Sequence, residues 1–394
     1  MKILACTSIR SDYDLMSPLY KLLNADDEIE LKLLVSGAHL SRSYGYSVEQ
    51  IEKDGFDILL KVETLINSDS SVSRIKSAGT LLLSSVDLIN DYCPDLIVYA
   101  GDREDVLIYS MVGGYLNIPT AHFFAGDHAP DGYIDNPIRH ATSKLSTAHF
   151  TSLPIHKQRL IDLGENSKRI HVVGNIALDR FVKFKPLPTL ELKKSIDLSI
   201  YDKDFAIVIF HPITEEKDIA SVYFENILLA LSNNNIPAYV GYPNVDPGNY
   251  SIIEVIQKYE ANENFIFYKN LERDAFLSIY KNASLLIGNS SSGVCEAASV
   301  QMPVVNVGKR QVGRFADKNV KFVNGDYDLI NNAIEAVTSN EFRGMLKDLK
   351  NSYGDGDSAR KAYEIIKTTD FKELLAKPDD PLKSKCEDYN EVPE

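Results

Sequence analysis

Leu96-Ile97-Val98-Tyr99-Ala100-Gly101-Asp102-Arg103-Glu104-Asp105 is the stretch whose reading decides the fold. The apolar run from Leu96 to Tyr99 is strand length and ends at a glycine, which predicts a short buried strand. The acids beyond it suit the first turn of a helix expected from Glu104 to Leu116, because carboxylates are stabilised at a helix N-terminus. The same alternation surrounds it. Lys2 to Cys6, Leu31 to Val35 and Thr120 to Phe124 read as buried parallel strands, and Pro18 to Asn24 and Ser73 to Tyr92 as helices. This is a βαβ series.

The pattern restarts near Ile170-His171-Val172-Val173-Gly174. Strands are expected at Phe205 to Phe210, Ala238 to Gly241, Phe265 to Tyr268, Leu285 to Ile287 and Pro303 to Val307. Helices are expected at Ala220 to Ser232, Leu271 to Lys281 and Ser292 to Val300, then from Asp326 to about Val337 and from Ser358 to Leu375. The class is therefore α/β, with two doubly wound parallel-sheet domains and a ligand cleft expected between the carboxyl ends of their strands. The expected boundaries are 1–170, 171–365, and 366–394 for a helix end and a frayed acidic tail. The 394 residues exceed one typical domain of about 100–200, which agrees with two.

Composition excludes some functions. Hydrophobic residues at 44% and charged residues at 25% exclude a disordered or fibrous chain. A net charge of -14 argues against nucleic acid or an anionic membrane as partner, since both require a basic patch. A small phosphorylated ligand stays compatible, because local arginines and backbone N–H groups suffice for it. Cys6, Cys93, Cys295 and Cys386 lack CxxC spacing, so no zinc site, no metal and no disulfide framework is expected, and free thiols fit a cytoplasmic location. Arg10 and Asp12 arrive before a signal-peptide core could form, and no run reaches the about 18 apolar residues of a membrane span.

The candidate chemistry lies in loops after strands. Ser8-Ile9-Arg10-Ser11-Asp12-Tyr13-Asp14 lacks GxGxxG, which removes the main support for a dinucleotide. It is either a turn capping the next helix or a diphosphate contact through Arg10. Gly101 to Asp105 is either an ordinary acidic first turn or a substrate-facing cluster with Asp102, Arg103 and Glu104. The richest stretch is Phe124-Ala125-Gly126-Asp127-His128-Ala129-Pro130-Asp131-Gly132-Tyr133-Ile134-Asp135-Asn136-Pro137-Ile138-Arg139-His140. A purely structural loop has little reason to gather three carboxylates, two histidines and an arginine, whereas proton transfer at a sugar carbon does.

In the second half, His211-Pro212-Ile213-Thr214-Glu215-Glu216 follows a strong apolar strand, and Tyr242-Pro243-Asn244-Val245-Asp246 offers Asn244 to sugar hydroxyls. Gly288-Asn289-Ser290-Ser291-Ser292-Gly293-Val294-Cys295-Glu296 joins a strand to a helix through small residues. Its N–H groups and hydroxyls can cradle a phosphate, with Glu296 one turn on for ribose hydroxyls. Lys309, Arg310 and Arg314 could close on a nucleotide.

Together, Gly101-Asp102-Arg103, Gly126-Asp127 with Asp135 and Ile138-Arg139-His140, His211-Pro212, Pro243-Asn244, Gly288 to Gly293 with Glu296, and Gly308 with Arg310-Gln311 and Gly313-Arg314 resemble the hydrolysing UDP-N-acetylglucosamine 2-epimerases. The resemblance spans about residues 1 to 365 in motif order. It implies the GT-B architecture of two Rossmann-like domains, the first carrying acid–base residues and the second binding UDP. It further implies loss of the C2 proton with departure of UDP from C1, a 2-acetamidoglucal intermediate, and water addition that releases a free C2-inverted sugar for nonulosonic (sialic- or legionaminic-type) acid biosynthesis. No redox cofactor is required, and a homo-oligomer, dimer or tetramer, is implied.

Carried onto this chain, Asp102 and Asp135 are the expected acid–base carboxylates. Asp127 stands where a glutamate after Gly-Gly is expected, as a repositioned acid or base, and His211 assists at the diphosphate. Arg10, Arg103, Glu104, Arg139, His140, Asn244, Asn289, Ser290, Ser291, Ser292, Gly293, Glu296, Arg310 and Arg314 are the expected substrate and nucleotide contacts. The shorter acid leaves UDP-N-acetylglucosamine and UDP-N,N'-diacetylbacillosamine both open as substrate. A non-hydrolysing 2-epimerase is the main rival, but its His-Val-Glu-Ala-Gly-Leu-Arg motif is replaced by His122-Phe123-Phe124-Ala125-Gly126-Asp127-His128. A GT-B glycosyltransferase would need an acceptor pocket, and a non-catalytic sugar-nucleotide sensor would bind UDP without turnover.

Overall fold

The computed structural model describes residues 1–66, 71–129, 134–243, 248–269 and 271–378. The chain forms two compact units. One begins with Met1–His128, runs on to Arg180 and includes the chain from Gly356; the other includes Phe181–Asp355.

The first unit is built on β1 (Lys2–Thr7), β2 (Glu30–Ser36), β3 (Ile58–Val62), β4 (Leu96–Ala100), β5 (Thr120–Phe123), β6 (Ala148–Thr151) and β7 (Ile170–Val172). They form one parallel sheet in the order β3-β2-β1-β4-β5-β6-β7. Ile3, Leu4 and Ala5 are all fully buried although successive side chains point to opposite faces, the mark of a sheet covered on both sides. Strand order reverses between β1 and β4, so the loops after these strands diverge and leave room for a ligand.

The helix Arg10–Asn24 buries Tyr13, Met16, Leu19, Tyr20 and Leu23 at helical spacing. It starts earlier than expected, because Pro18 lies inside it instead of opening it. A proline takes away the N–H that would bond the carbonyl four residues back. Here that carbonyl, on Asp14, accepts from Ser17 Oγ at 3.3 Å.

The second unit contains β8 (Ala206–Ile209), β9 (Ala238–Gly241), β10 (Phe265–Tyr268), β11 (Leu285–Gly288), β12 (Val304–Val307) and β13 (Val320–Val323). Its order is β10-β9-β8-β11-β12-β13, again all parallel, with the reversal between β8 and β11. One face packs on the helices Ala220–Asn233 and Tyr327–Thr338 through Phe224, Ile227, Leu231, Ile330 and Ile334.

Two boundaries differ from the expected 170 and 365. β7 pairs with β6, so it closes the first sheet and does not open the second. The helix Ser358–Thr368 returns to the first unit, where Ala359, Ala362 and Ile366 join the cluster of Met16, Leu19, Tyr20 and Leu23. Asp179 fixes that return by accepting the Ser358 and Ala359 N–H groups at 2.9 and 2.8 Å, filling the helix's open N-terminal donors. Among the described residues no helix is long and apolar enough to cross a membrane.

Candidate active site

The strand ends of the first unit set out its charged groups. Asp102 follows β4 and Gly101, and its Oδ2 accepts from Arg139 Nη2. After β5 the chain turns through left-handed backbone at Phe124 (φ 58°) and Gly126 (φ 73°). A Cβ on Gly126 would lie 2.4 Å from the His156 carbonyl oxygen, so only glycine lets the loop run this close to the helix Pro154–Asp162. Phe124 lacks that freedom and stores about 1–3 kcal/mol of local strain. The Gly126 carbonyl is pinned by Arg159 Nη1.

This turn presents Asp127. Its Oδ2 lies 3.3 Å from Arg139 Nη1, its Oδ1 lies 3.3 Å from His156 Nε2, and Oδ1 also accepts the His128 N–H at 2.8 Å. Arg139 thus stands between two carboxylates. Its side chain is 7% exposed against 27% for Asp102 and 30% for Asp127, so the cation is shielded while both acids reach solvent. A planar guanidinium can serve two carboxylates in fixed directions, which an ammonium cannot. Asp135 opens the helix Asp135–Leu145 and shares a face with Arg139 four residues on. The His128 and His140 rings stack at 5.8 Å, and burial followed by His128 and Arg139 lowers the His140 imidazole.

His122, buried on β5, ties these loops together. Burial outweighs its backbone hydrogen bond and brings the imidazole down to about 3, so the ring is neutral at working pH. Its Nε2 lies 2.8 Å from the Gly101 carbonyl, which fixes Nε2 as the protonated nitrogen. Its Nδ1 faces Ser143 Oγ at 3.1 Å, and the same hydroxyl lies 3.0 Å from the Arg139 carbonyl.

Other expected contacts have partners of their own. Glu104 takes a two-pronged bond from Arg74 at 3.0 and 2.6 Å; burial raises its carboxyl, but Arg74, the backbone N–H at the helix start and Arg103 together outweigh that and lower it. Arg10 is exposed and pairs with Asp14 at 3.6 Å. Arg103 is exposed at the start of the helix Glu104–Tyr115. Asp105 is pushed up to about 6 by burial and then by Glu104, against a hydrogen bond from Ser8.

In the second unit Gly288 ends β11 with φ 136°, and a Cβ there would lie 2.1 Å from the Ile209 carbonyl oxygen. Asn289, 1% exposed, accepts the His211 N–H on Oδ1 at 2.8 Å and donates Nδ2 to the His211 carbonyl at 2.7 Å. Its amide is an added rung between the ends of β8 and β11. The Asn289 carbonyl accepts from Arg310 Nη1 at 2.9 Å and Gln311 Nε2 at 3.1 Å. Ser290 caps the short helix Ser291–Cys295, accepting the Ser292 N–H at 3.3 Å, and Gly293 is buried within it. Glu296 is half-buried, and burial raises its carboxyl against the opposing pull of Arg273. Both oxygens of buried Glu216 accept the Lys309 N–H at 3.2 Å and so fix the loop carrying Arg310 and half-buried Arg314. Asn244 lies outside the described residues.

The structure therefore brings together Asp102, Asp127 and Arg139, and separately His211, Asn289 and Arg310. Sequence reasoning missed His156 and Arg159, on a helix it did not predict, and Glu216, which it quoted without a role. The first group holds carboxylates that can carry protons, and the second sets a cation and strand-end backbone where an anion could be received. Among the described residues no group of three or more His, Cys, Asp or Glu could hold a metal ion.

Known proteins share this plan. The family model described as UDP-N-acetylglucosamine 2-epimerase matches residues 21–367. A hydrolysing UDP-N,N'-diacetylbacillosamine 2-epimerase of Legionella pneumophila is 33% identical over 93% of this chain and 96% of its own. A hydrolysing GDP/UDP-N,N'-diacetylbacillosamine 2-epimerase of Campylobacter jejuni is 31% identical over 87% of this chain and 88% of its own. The crystal structure of the Neisseria meningitidis UDP-GlcNAc 2-epimerase bound to UDP-GlcNAc aligns with a TM-score of 0.72 at 19% identity, covering 94% of this chain and 100% of that one; this likeness speaks for the fold. By the family match and the two relatives that span most of its length, the chain belongs to the UDP-N-acetylglucosamine 2-epimerase family.

Proposed function

We propose that the chain is a hydrolysing 2-epimerase that takes UDP-N,N'-diacetylbacillosamine, in preference to UDP-N-acetylglucosamine, with water to UDP and the free C2-inverted sugar. The observation that carries this reading is the pair of relatives at 33% and 31% identity, both named as hydrolysing N,N'-diacetylbacillosamine 2-epimerases, the first of the UDP sugar and the second of the GDP or UDP sugar. The Asp102–Arg139–Asp127 group supports it chemically, because acid–base work at a sugar carbon needs carboxylates held in fixed positions.

A carboxylate removes the C2 proton while the C1–O bond breaks, its electrons leaving with UDP, and a 2-acetamidoglucal remains. Water then adds at C1, and a proton returns to C2 from the opposite face. The acetamido group does not make C2–H acidic as a ketone would, so cations at the departing diphosphate matter as much as the base. Asp102 and Asp135 take the acid–base roles, Arg139 and Asp127 orient them, and His140 lines the sugar site. The second unit takes UDP, with Ser290, Ser291, Ser292 and Gly293 at the phosphates and Glu296 at the ribose. His211, Arg310 and Arg314 assist departure. The enzyme works in the cytoplasm as a homo-oligomer and feeds nonulosonic acid synthesis.

Incubation with each sugar nucleotide in heavy water, followed by NMR, tests this. UDP and a free sugar deuterated at C2 are expected, faster from the diacetylated substrate. A product that keeps its UDP would overturn hydrolysis, and faster turnover of UDP-N-acetylglucosamine would overturn the substrate preference.

A further inference from the structure

The helix carrying Asp135 and Arg139 has to end somewhere, and its last carbonyls have no partners inside the helix. Two of them, on Ser143 and Lys144, accept from Lys377 Nζ at 3.3 and 2.9 Å. The third N–H of that ammonium goes to Glu165 Oε2 at 2.8 Å, so its whole donor set is used. Glu165, with a side chain only 2% exposed, also takes Lys144 Nζ at 2.9 Å and His149 Nε2 at 3.0 Å. Burial raises its carboxyl, but His149 and Lys377 outweigh it and hold it down at about 2.

The segment bringing Lys377 here is gripped a second time. Buried Arg169 donates to the Leu374, Ala376 and Thr147 carbonyls. Phe371 anchors the start of the strap in the core. The strap therefore clasps the C-terminal end of the helix whose N-terminal end bears the acid–base face. Ser143 lies in that last turn and connects it to His122 Nδ1, and His122 Nε2 holds the Gly101 carbonyl next to Asp102.

We propose that Lys377 is a positioning residue for catalysis: it caps the helix Asp135–Leu145 and, through Ser143 and His122, sets Asp135 and Arg139 in register with Asp102. This rests on the proposed acid–base role of that helix. Lys377 touches no reacting group, and its effect is geometric. A misplacement of about 1 Å at a reacting centre can cost on the order of 100-fold in rate, so losing the cap should be visible in turnover.

The test uses the full chain with Lys377→Met, which keeps the stem and removes the donors, and with Lys377→Arg, which restores donors. Expected for Lys377→Met are a fall in kcat of about tenfold or more, UDP affinity within about twofold of the parent, and faster hydrogen exchange of the Gly101–Arg103 amides at a temperature where the variant stays folded. Lys377→Arg should recover most of kcat. Parental kcat in Lys377→Met, or UDP affinity falling in step with kcat, would overturn the proposal. If the parent releases no UDP, the proposed function has failed, and the exchange measurement alone then decides whether Lys377 positions the Asp102 loop: unchanged protection refutes it.

Discussion

Arg139 bonds Asp102 with one terminal nitrogen and faces Asp127 at 3.3 Å with the other, so two carboxylates from different strand-end loops share one guanidinium. The cation comes from a helix and the acids from turns, which makes the helix the rigid reference for both. Arg139→Lys keeps the charge and loses the fork. Lysine keeps a cation beside the two partly exposed acids, so no buried charge is left without a counter-charge and the fold should survive. UDP release should fall by about 100-fold, while UDP affinity by calorimetry stays within about threefold, roughly 0.7 kcal/mol. More than half of parental turnover would remove Arg139 from the machinery.

Asp105, in the first turn of the helix Glu104–Tyr115, makes a different kind of test. Burial first and Glu104 second raise its carboxyl from 3.8 to about 6. Between those values the folded chain holds a proton that the unfolded chain has released, so stability falls as pH rises through this window and stays lower above it. Asp105→Asn removes the charge and should raise the melting temperature at pH 7.5, with the gain shrinking towards pH 4. The ceiling is about 3 kcal/mol, from roughly 1.4 kcal/mol per pKa unit. A destabilised Asn variant at pH 7.5 would mean that the Ser8 hydrogen bond to the charged form outweighs burial.

The sheet interiors were legible because a strand buried on both faces is written as an unbroken apolar run, as in β1, β4 and β8. Two other strands were not. β3, at one edge, contains exposed Lys61, and β6, between β5 and β7, reads Ala148-His149-Phe150-Thr151 with His149 spent on Glu165, so neither shows a clean apolar signal. Which sheet an edge strand joins is a tertiary fact, hence the misplaced β7. At the site, Asp102, Asp127 and Arg139 could be read because charged residues crowd a Gly-bearing loop. The Arg74–Glu104 pair could not, because its partners are 30 residues apart and only packing brings the helix Ser71–Tyr92 to Glu104.

Gly288 is the second-unit position where backbone spacing leaves least room. An alanine there would combine a left-handed φ of 136° with a Cβ 2.1 Å from the Ile209 carbonyl oxygen, between two central strands. Overpacking and backbone strain together should cost about 3 kcal/mol or more. At about 2–4 °C per kcal/mol for a domain of this size, Gly288→Ala should melt roughly 6–12 °C lower. An unchanged melting temperature would mean that β8 and β11 separate freely, contrary to the Asn289 clamp beside them.

Asn289 and Glu296 sit seven residues apart in one strand-to-helix segment and should fail in opposite ways. The Asn289 amide is used up on the main chain of His211, and the residue is 1% exposed, so its effect on a ligand passes through where His211 stands. Glu296 is a half-buried carboxylate whose burial raises its carboxyl, so under the proposed ribose contact, donated hydroxyls would stabilise its charged form. Asn289→Ala should lower kcat about tenfold or more and leave UDP affinity within about threefold. Glu296→Ala should weaken UDP binding by about 1.5–3 kcal/mol, the range for hydrogen bonds to a charged group, with a smaller loss of kcat at saturation. Calorimetric UDP titration beside steady-state kinetics separates the two. If Asn289→Ala loses affinity first, the nucleotide contacts that amide directly, and if Glu296→Ala binds UDP normally, the ribose lies elsewhere.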